Sequence, residues 1–354
     1  MIEAHERLKT FGIGVLYLVS DRAKALIKLA QTGLGCLSIP DLFHLSHDLA
    51  KGYSLAIFGR LRQAMQALAQ AKQRLESLHN SQADRAQVEQ AQALVADCEL
   101  SVNHWQGVHS AWKQHLSNLS RILHPWRLVD ATHQTSLAVE HHLQAELQAL
   151  ETLLETNGLP VKKAILDKVR KQLAGVSALV DFWWQTVRQD LTQLAMTPRW
   201  TQWAEDVLLP SMYWQEQLRR TRHPVQKAQI ALVLQAVAEV FERHPCTRQL
   251  KPEVLAGWKA WAAEHAKAFQ RASSAVEGRN GYLAQMQHNH RGLPTRRYQV
   301  WTALHNFACR AADGTTPAAR FFRRSFPDLF ESVLSQIDAL PMPRQRRQAL
   351  AAST

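Results

Sequence analysis

Ile13-Gly14-Val15-Leu16-Tyr17-Leu18-Val19-Ser20-Asp21 is the stretch that decides how the chain is read. It is an unbroken apolar run rich in β-branched residues, the pattern of a strand buried on both faces of a parallel sheet. An acid stands at its C-terminal end. Residues 22–32 then read as a helix, with Ala23, Leu26, Ile27 and Ala30 on one side, and Gly33 and Gly35 punctuate its end. Cys36-Leu37-Ser38-Ile39 is a second short strand, stopped by Pro40. Strand, helix and strand at this spacing make a parallel crossover unit.

Outside this unit strand signals nearly vanish. From about 42 to 270 the text is dominated by Ala, Gln, Leu, Glu and Arg, all good helix formers. Leu55, Phe58, Leu61, Met65, Leu68, Leu75 and Leu78 recur near helical spacing over 54–79. His79 to Asp84 reads as a turn, and a second long helix runs over 84–120, so the two form an antiparallel hairpin. Further helices are expected at 136–156, 161–174, 176–195, 199–221, 224–243 and within 252–289. Breaks fall at Pro160, Pro198, Pro224 and Pro245. Beyond Pro294 lie helices at 295–311, 317–324 and 326–338, with Thr316 capping and Pro317 in the first turn. Trp183, Trp184, Trp200, Trp203, Trp214, Trp258 and Trp261 sit at helical positions among apolar residues and read as packing between helices.

The chain has 354 residues and a formal net charge of +12. Such a balance favours polyanionic partners, nucleic acid first. The four cysteines make no CxxC pair, so neither a disulfide framework nor a zinc site is indicated. The N-terminus lacks a signal-peptide layout, and Ile13 to Val19 is far shorter than the ~20 residues a membrane span needs. The expected compartment is the cytoplasm, with no membrane partner.

The basic charge gathers late. Within 271–324 stand nine arginines, Arg271, Arg279, Arg291, Arg296, Arg297, Arg310, Arg320, Arg323 and Arg324, against two acids, Glu277 and Asp313. Guanidinium forks suit phosphate, and Tyr298, Trp301, His288 and His290 add stacking and polar groups. A lone acid in such a field is either neutralised by an arginine or held for a cation. Ser274 with Glu277 also matches a capping box, and Asp21 and Asp41 are good helix caps; taken alone, each acid is more simply a cap. His44 and His47 share a helix face at a spacing that can hold a metal, although packed or solvated histidines explain them more simply.

Taken together, Val19-Ser20-Asp21, Pro40-Asp41-Leu42-Phe43-His44, Val276-Glu277-Gly278-Arg279-Asn280-Gly281, His305-Asn306-Phe307 and Asp313-Gly314-Thr315-Thr316-Pro317-Ala318 resemble the DDE transposases of bacterial insertion sequences. The resemblance covers roughly 11–60 and 270–332. It implies a mainly α chain with a partial RNase H-like α/β core, carrying two parallel strands near the N-terminus, plus a large all-helical insertion. The implied divisions are 1–50 for the partial core, 51–265 for the insertion, 266–338 for a basic C-terminal part of the core, and 339–354 for a disordered tail. Asp21 matches the family's second acid and Glu277 its third, both ligands of Mg²⁺ or Mn²⁺. Arg279, Asn280, Arg291, Arg296 and Arg297 would contact DNA at transposon ends. Only Glu3 and Glu6 precede Asp21, so the first acid has no match. The expectation is a truncated or split transposase, weak or inactive alone in DNA cleavage and strand transfer, completed by a homo-oligomer or a separate N-terminal polypeptide. The alternative is a non-catalytic DNA-binding, assembly or inhibitor protein derived from such an enzyme.

Overall fold

A computed structural model describes residues 2–20, 23–81, 83–271, 295–311 and 313–337. The fold is mainly helical with one pair of parallel strands. Two compact units divide at Ser273/Ser274.

The first unit opens with a helix that has no counterpart in the sequence reading, α1 (Ile2–Thr10), followed by β1 (Tyr17–Ser20), α2 (Lys24–Lys28) and β2 (Leu37–Pro40). A π-helical turn, Leu29–Leu34, extends α2. It ends at Gly35, whose φ of 64° lies in the left-handed region that glycine enters without strain. The strands pair in parallel, Tyr17 with Leu37 through Ser20 with Pro40. The expectation of a strand buried on both faces is corrected: Tyr17, Leu18 and Val19 are only half-buried, and Leu37 is exposed. The sheet has two strands, so each strand has one paired edge. Tyr17 packs on Phe182 at 4.9 Å between ring centroids.

Asp41 ends this unit and starts the helical body. Its Oδ1 accepts the Phe43 N–H at 2.7 Å, capping α3 (Leu42–Asn80). Next come α4 (Arg85–Ile122), α5 (Ser136–Thr156) and α6 (Lys163–Gln193). Neighbouring contacts run α3–α4–α5–α6 and back to α3, so the four close into a bundle. Gly175 was expected to separate two helices. The helix instead runs through it, and the missing side chain serves a close approach: a Cβ there would stand 3.0 Å from Pro40 Cδ.

At 39 and 38 residues, α3 and α4 each reach nearly 60 Å at 1.5 Å per residue. Leu61, Ala64, Leu68, Ala71, Leu75 and Leu78 of α3 turn inward at alternating steps of three and four. On α4, Val88, Ala91, Val95, Cys98, Val102 and Trp105 do the same. That is an antiparallel coiled-coil seam, with alanines allowing close approach. Leu55, Phe58 and Met65, grouped with the inner residues by the helical-spacing reading, lie outside it and are exposed. A seam between only two helices is narrower than the stripe a globular helix buries.

A further layer holds α7 (Pro198–Trp203), α8 (Leu209–Arg220), α9 (Pro224–Arg243), α10 (Pro245–Gln249) and α11 (Pro252–Ala268). A π-helical turn, Ala204–Leu208, joins α7 to α8. All five carry Pro in the first turn: it is the first residue of α7, α9, α10 and α11, where its missing N–H costs nothing, and in α8, which follows on from the π turn, it is the second, Pro210. One apolar core runs from Ile39 through Trp126 to Phe269. Trp126, fully buried, meets Trp183 and Trp184 at 5.3 and 5.0 Å, and Trp183 donates its indole N–H to the His265 carbonyl at 2.8 Å. Trp183, Trp184, Trp203 and Trp214 are buried, in keeping with the packing role read for them.

The second unit contains α12 (Thr295–Phe307), α13 (Pro317–Phe322) and α14 (Leu329–Leu334). Thr316 Oγ1 accepts the Ala319 N–H at 3.2 Å with Pro317 next, the expected cap. Phe326 packs on Phe307 and Phe322 at 5.1 and 5.8 Å. Among the described residues no helix is long and apolar enough to cross a membrane.

Candidate functional site

The C-terminal edge of the strand pair is where a parallel unit exposes functional groups. The Ser20 carbonyl accepts the Asp41 N–H at 2.9 Å, so β1 ends beside the start of α3. One residue on, the Leu42 N–H donates to the Arg271 carbonyl at 3.2 Å. The segment that leaves α11 therefore returns to the strand edge, although most of the chain lies between Ser20 and Arg271. Both residues belong to the first unit. Asp21, Glu277, Arg279, Asn280 and Arg291 lie outside the described residues, as do Ser274 and the 339–354 tail.

Asp41 is fully buried, and its Oδ2 stands 3.9 Å from His44 Nδ1. Phe43 is exposed, with its ring stacked on His47 at 6.0 Å. Among the described residues, no group of three or more His, Cys, Asp or Glu could hold a metal ion.

Arg271 has a different role from the one its neighbours in sequence suggest. Its side chain turns into the protein, where Nη1 donates to the Ser120 carbonyl at 2.6 Å and lies 3.3 Å from the Leu123 carbonyl and 3.2 Å from His124 Nε2. These groups end α4, where carbonyls lack helical partners and a cation opposes the macrodipole. Gln134 completes the set, its Nε2 donating to the carbonyls of Ile122 and His124 at 3.1 and 2.9 Å. Arginine only donates, so His124 Nε2 is the bare nitrogen, and Nδ1 carries the proton it shares with Tyr213 Oη at 2.6 Å. Burial, with the Arg271 charge adding to it, holds His124 well below its ordinary value and therefore neutral. Burial also raises the Tyr213 phenol. In sequence Arg271 belongs with the arginines suited to phosphate, and neither His124 nor Tyr213 stands in a site motif. A histidine just past a helix end and before a proline, His124-Pro125, is the one local sign of this cluster.

The second unit carries the arginines described. Arg296 and Arg297 lie in the first turn of α12, both exposed. Arg310, Arg320, Arg323 and Arg324 are exposed too, and none of the six forms an ion pair among the described residues. Arg324 lies over the Phe326 ring at 4.9 Å, and Phe321 is exposed beside it. Asp313 is spent locally: its Oδ1 accepts from the Thr315 N–H and hydroxyl at 3.0 and 2.6 Å, which holds its carboxyl below the usual range.

Comparison with known proteins adds one similarity. A family model described as a family of unknown function (DUF6399) matches residues 204–349, from the π turn before α8 through α14. The matched span includes Arg271, Glu277 and the exposed arginines of the second unit. No curated protein and no solved structure matches the chain.

Proposed function

We propose that this chain is a DNA-binding protein of the DDE transposase type, with β1, α2 and β2 as part of an RNase H-like core and the all-helical stretch 51–265 as its insertion. The observation that carries the reading is the meeting of Ser20, Asp41–Leu42 and Arg271 at one strand edge. Asp21 follows Ser20 directly. Glu277 follows Arg271 by six residues, a reach of no more than about 20 Å. In this reading the two carboxylates share a divalent cation, and their oxygen donors suit Mg²⁺ or Mn²⁺. Such an ion, when bound, activates a water or 3′-hydroxyl for attack on a DNA phosphate and stabilises the leaving oxygen. Arg279, Asn280, Arg291, Arg296 and Arg297 hold the DNA backbone. Two acids hold an ion weakly, so the chain by itself has little or no cleavage activity.

Paramagnetic resonance of added Mn²⁺ tests the site: bound ion is expected with the native chain and is lost in both Asp21→Asn and Glu277→Gln. Equal binding by all three proteins would remove the transposase reading. The non-catalytic alternative draws on a separate observation, the six exposed arginines without ion-pair partners among the described residues. Fluorescence anisotropy on duplex DNA at several salt concentrations tests it. Replacing Arg296 and Arg297 with Ala is expected to weaken binding across sequences and to reduce the salt slope by about one per lost phosphate contact. An unchanged slope would place the DNA elsewhere.

A further inference from the structure

A cleft of about 520 Å³ opens where the end of α4, the connection after it and α5 meet. Its polar wall is made by Gln114, Asn118, Arg121, Arg127, His142 and Glu146. The volume is that of a small-molecule site.

The charges in the wall are unevenly matched. Glu146 Oε1 is engaged by His115 Nδ1 at 2.6 Å and by Asn118 Nδ2 at 2.9 Å. Asn118 Oδ1 in turn takes the Gln114 amide at 2.8 Å and Arg121 Nη1 at 3.0 Å. Arg121 thus meets a neutral amide, not a carboxylate, and its Nε is buried with no acceptor. A half-buried guanidinium with donors unspent is a costly arrangement unless an anion completes it. Arg127 stands on the same cleft, and its ion pair with Asp130 at 3.4 Å is solvent-exposed on both sides and therefore weak. Ile122, Leu128 and Ala145 supply an apolar floor.

We propose that this cleft binds a small phosphorylated molecule, its phosphate on Arg121 and Arg127 and its apolar body against Ile122, Leu128 and Ala145. Two guanidinium forks match a phosphate dianion better than a single carboxylate. The assignment is independent of the DNA reading, which concerns arginines of the second unit.

Titration calorimetry on the full chain, with inorganic phosphate and phenyl phosphate as probes, tests the site. Phenyl phosphate is expected to bind more tightly than phosphate, because only it uses the apolar floor. Arg121→Gln and Arg127→Gln are each expected to weaken phenyl phosphate by about tenfold or more, the scale of one charged hydrogen bond. Arg127 is exposed, so its variant carries the test should Arg121→Gln fail to fold. Duplex DNA affinity is expected to be unchanged in Arg127→Gln. Three results would each overturn the proposal: no saturable binding of either probe, binding unaffected in the folded variants, or a matching loss of DNA affinity that marks the cleft as a DNA contact.

Discussion

Replacing Arg271 with Met keeps the side chain's length and removes its charge and donors. Four acceptors lie within 3.5 Å of Nη1: the carbonyls of Ser120 and Leu123, Ser120 Oγ and His124 Nε2. One nitrogen carries two hydrogens, so at most two of these contacts are full bonds and the others share them. The shortest, at 2.6 Å to Ser120, is one, and His124 Nε2 is the natural second because Arg271 is the donor that reaches it among the described residues. Bonds from a charged donor are worth about 1.5–3 kcal/mol each, and losing them leaves a carbonyl and an imidazole nitrogen unsatisfied in the interior. Against this stands the relief of no longer desolvating a guanidinium. The balance is a loss of about 3 kcal/mol, or about 6–12 °C in the melting temperature of a unit this large. Lys in its place offers one ammonium without the planar fork and is expected to recover only part. Urea and thermal unfolding followed by circular dichroism measure the loss. A Met variant within about 0.5 kcal/mol of the native chain would show that the cluster contributes nothing net, and that water replaces the guanidinium without penalty.

The same cluster gives acid sensitivity. His124 titrates at about 6.5 when unfolded and well below that when folded, so below pH 6.5 only the unfolded chain takes the proton. Stability is then full above 6.5 and falls as pH drops toward the folded value, by up to about 1.4 kcal/mol per pH unit from this group. His124→Gln is expected to flatten that slope in unfolding curves between pH 7.5 and 5.5; an unchanged slope would assign it to other groups. Gly175→Val is expected to cost about 1–3 kcal/mol by driving Cβ and its methyls into Pro40, while Gly257→Ala, with open space around it in α11, is expected to be neutral or to stabilise by up to about 1 kcal/mol. Equal effects would mean that α6 does not approach β2 so closely. Leu61→Ala is expected to cost about 2–3 kcal/mol and Leu55→Ala almost nothing, since Leu61 is 7% exposed and Leu55 83%; the reverse order in denaturant midpoints would overturn the seam assigned to α3.

Helices with proline or cap boundaries were legible almost to the residue, as Ser136–Thr156 and Pro224–Arg243 show. Their signals are local: a cap before the first turn, a proline in it, and uniform helix formers after. The parallel strand pair was legible too, because an apolar run with an acid at its end is also a local pattern. Two things were not. Gly175 reads as a helix break when only its own propensity counts, yet the reason for glycine there is Pro40, a distant neighbour in sequence. In 54–79 the spacing admitted two stripes, one through Leu61 and Leu68 and one through Leu55, Phe58 and Met65. Only the single partner α4 selects between them.

Arg271 shows why a candidate site is harder to read than a fold. In sequence it is one of nine arginines in a stretch nearly free of acids, and nothing nearby sets it apart. Its role comes from the other end of its hydrogen bonds, the carbonyls that α4 leaves unpaired and the bare nitrogen of His124. Its own carbonyl then accepts from Leu42 at the strand edge. One residue thus ties the end of α4 to the start of α3, so the segment leaving toward Glu277 departs from a fixed point. Any chemistry built on Asp21 and Glu277 would depend on that anchor. Arg271→Met is therefore expected to weaken Mn²⁺ binding along with stability, whereas Arg296→Ala, on the second unit, should leave both intact.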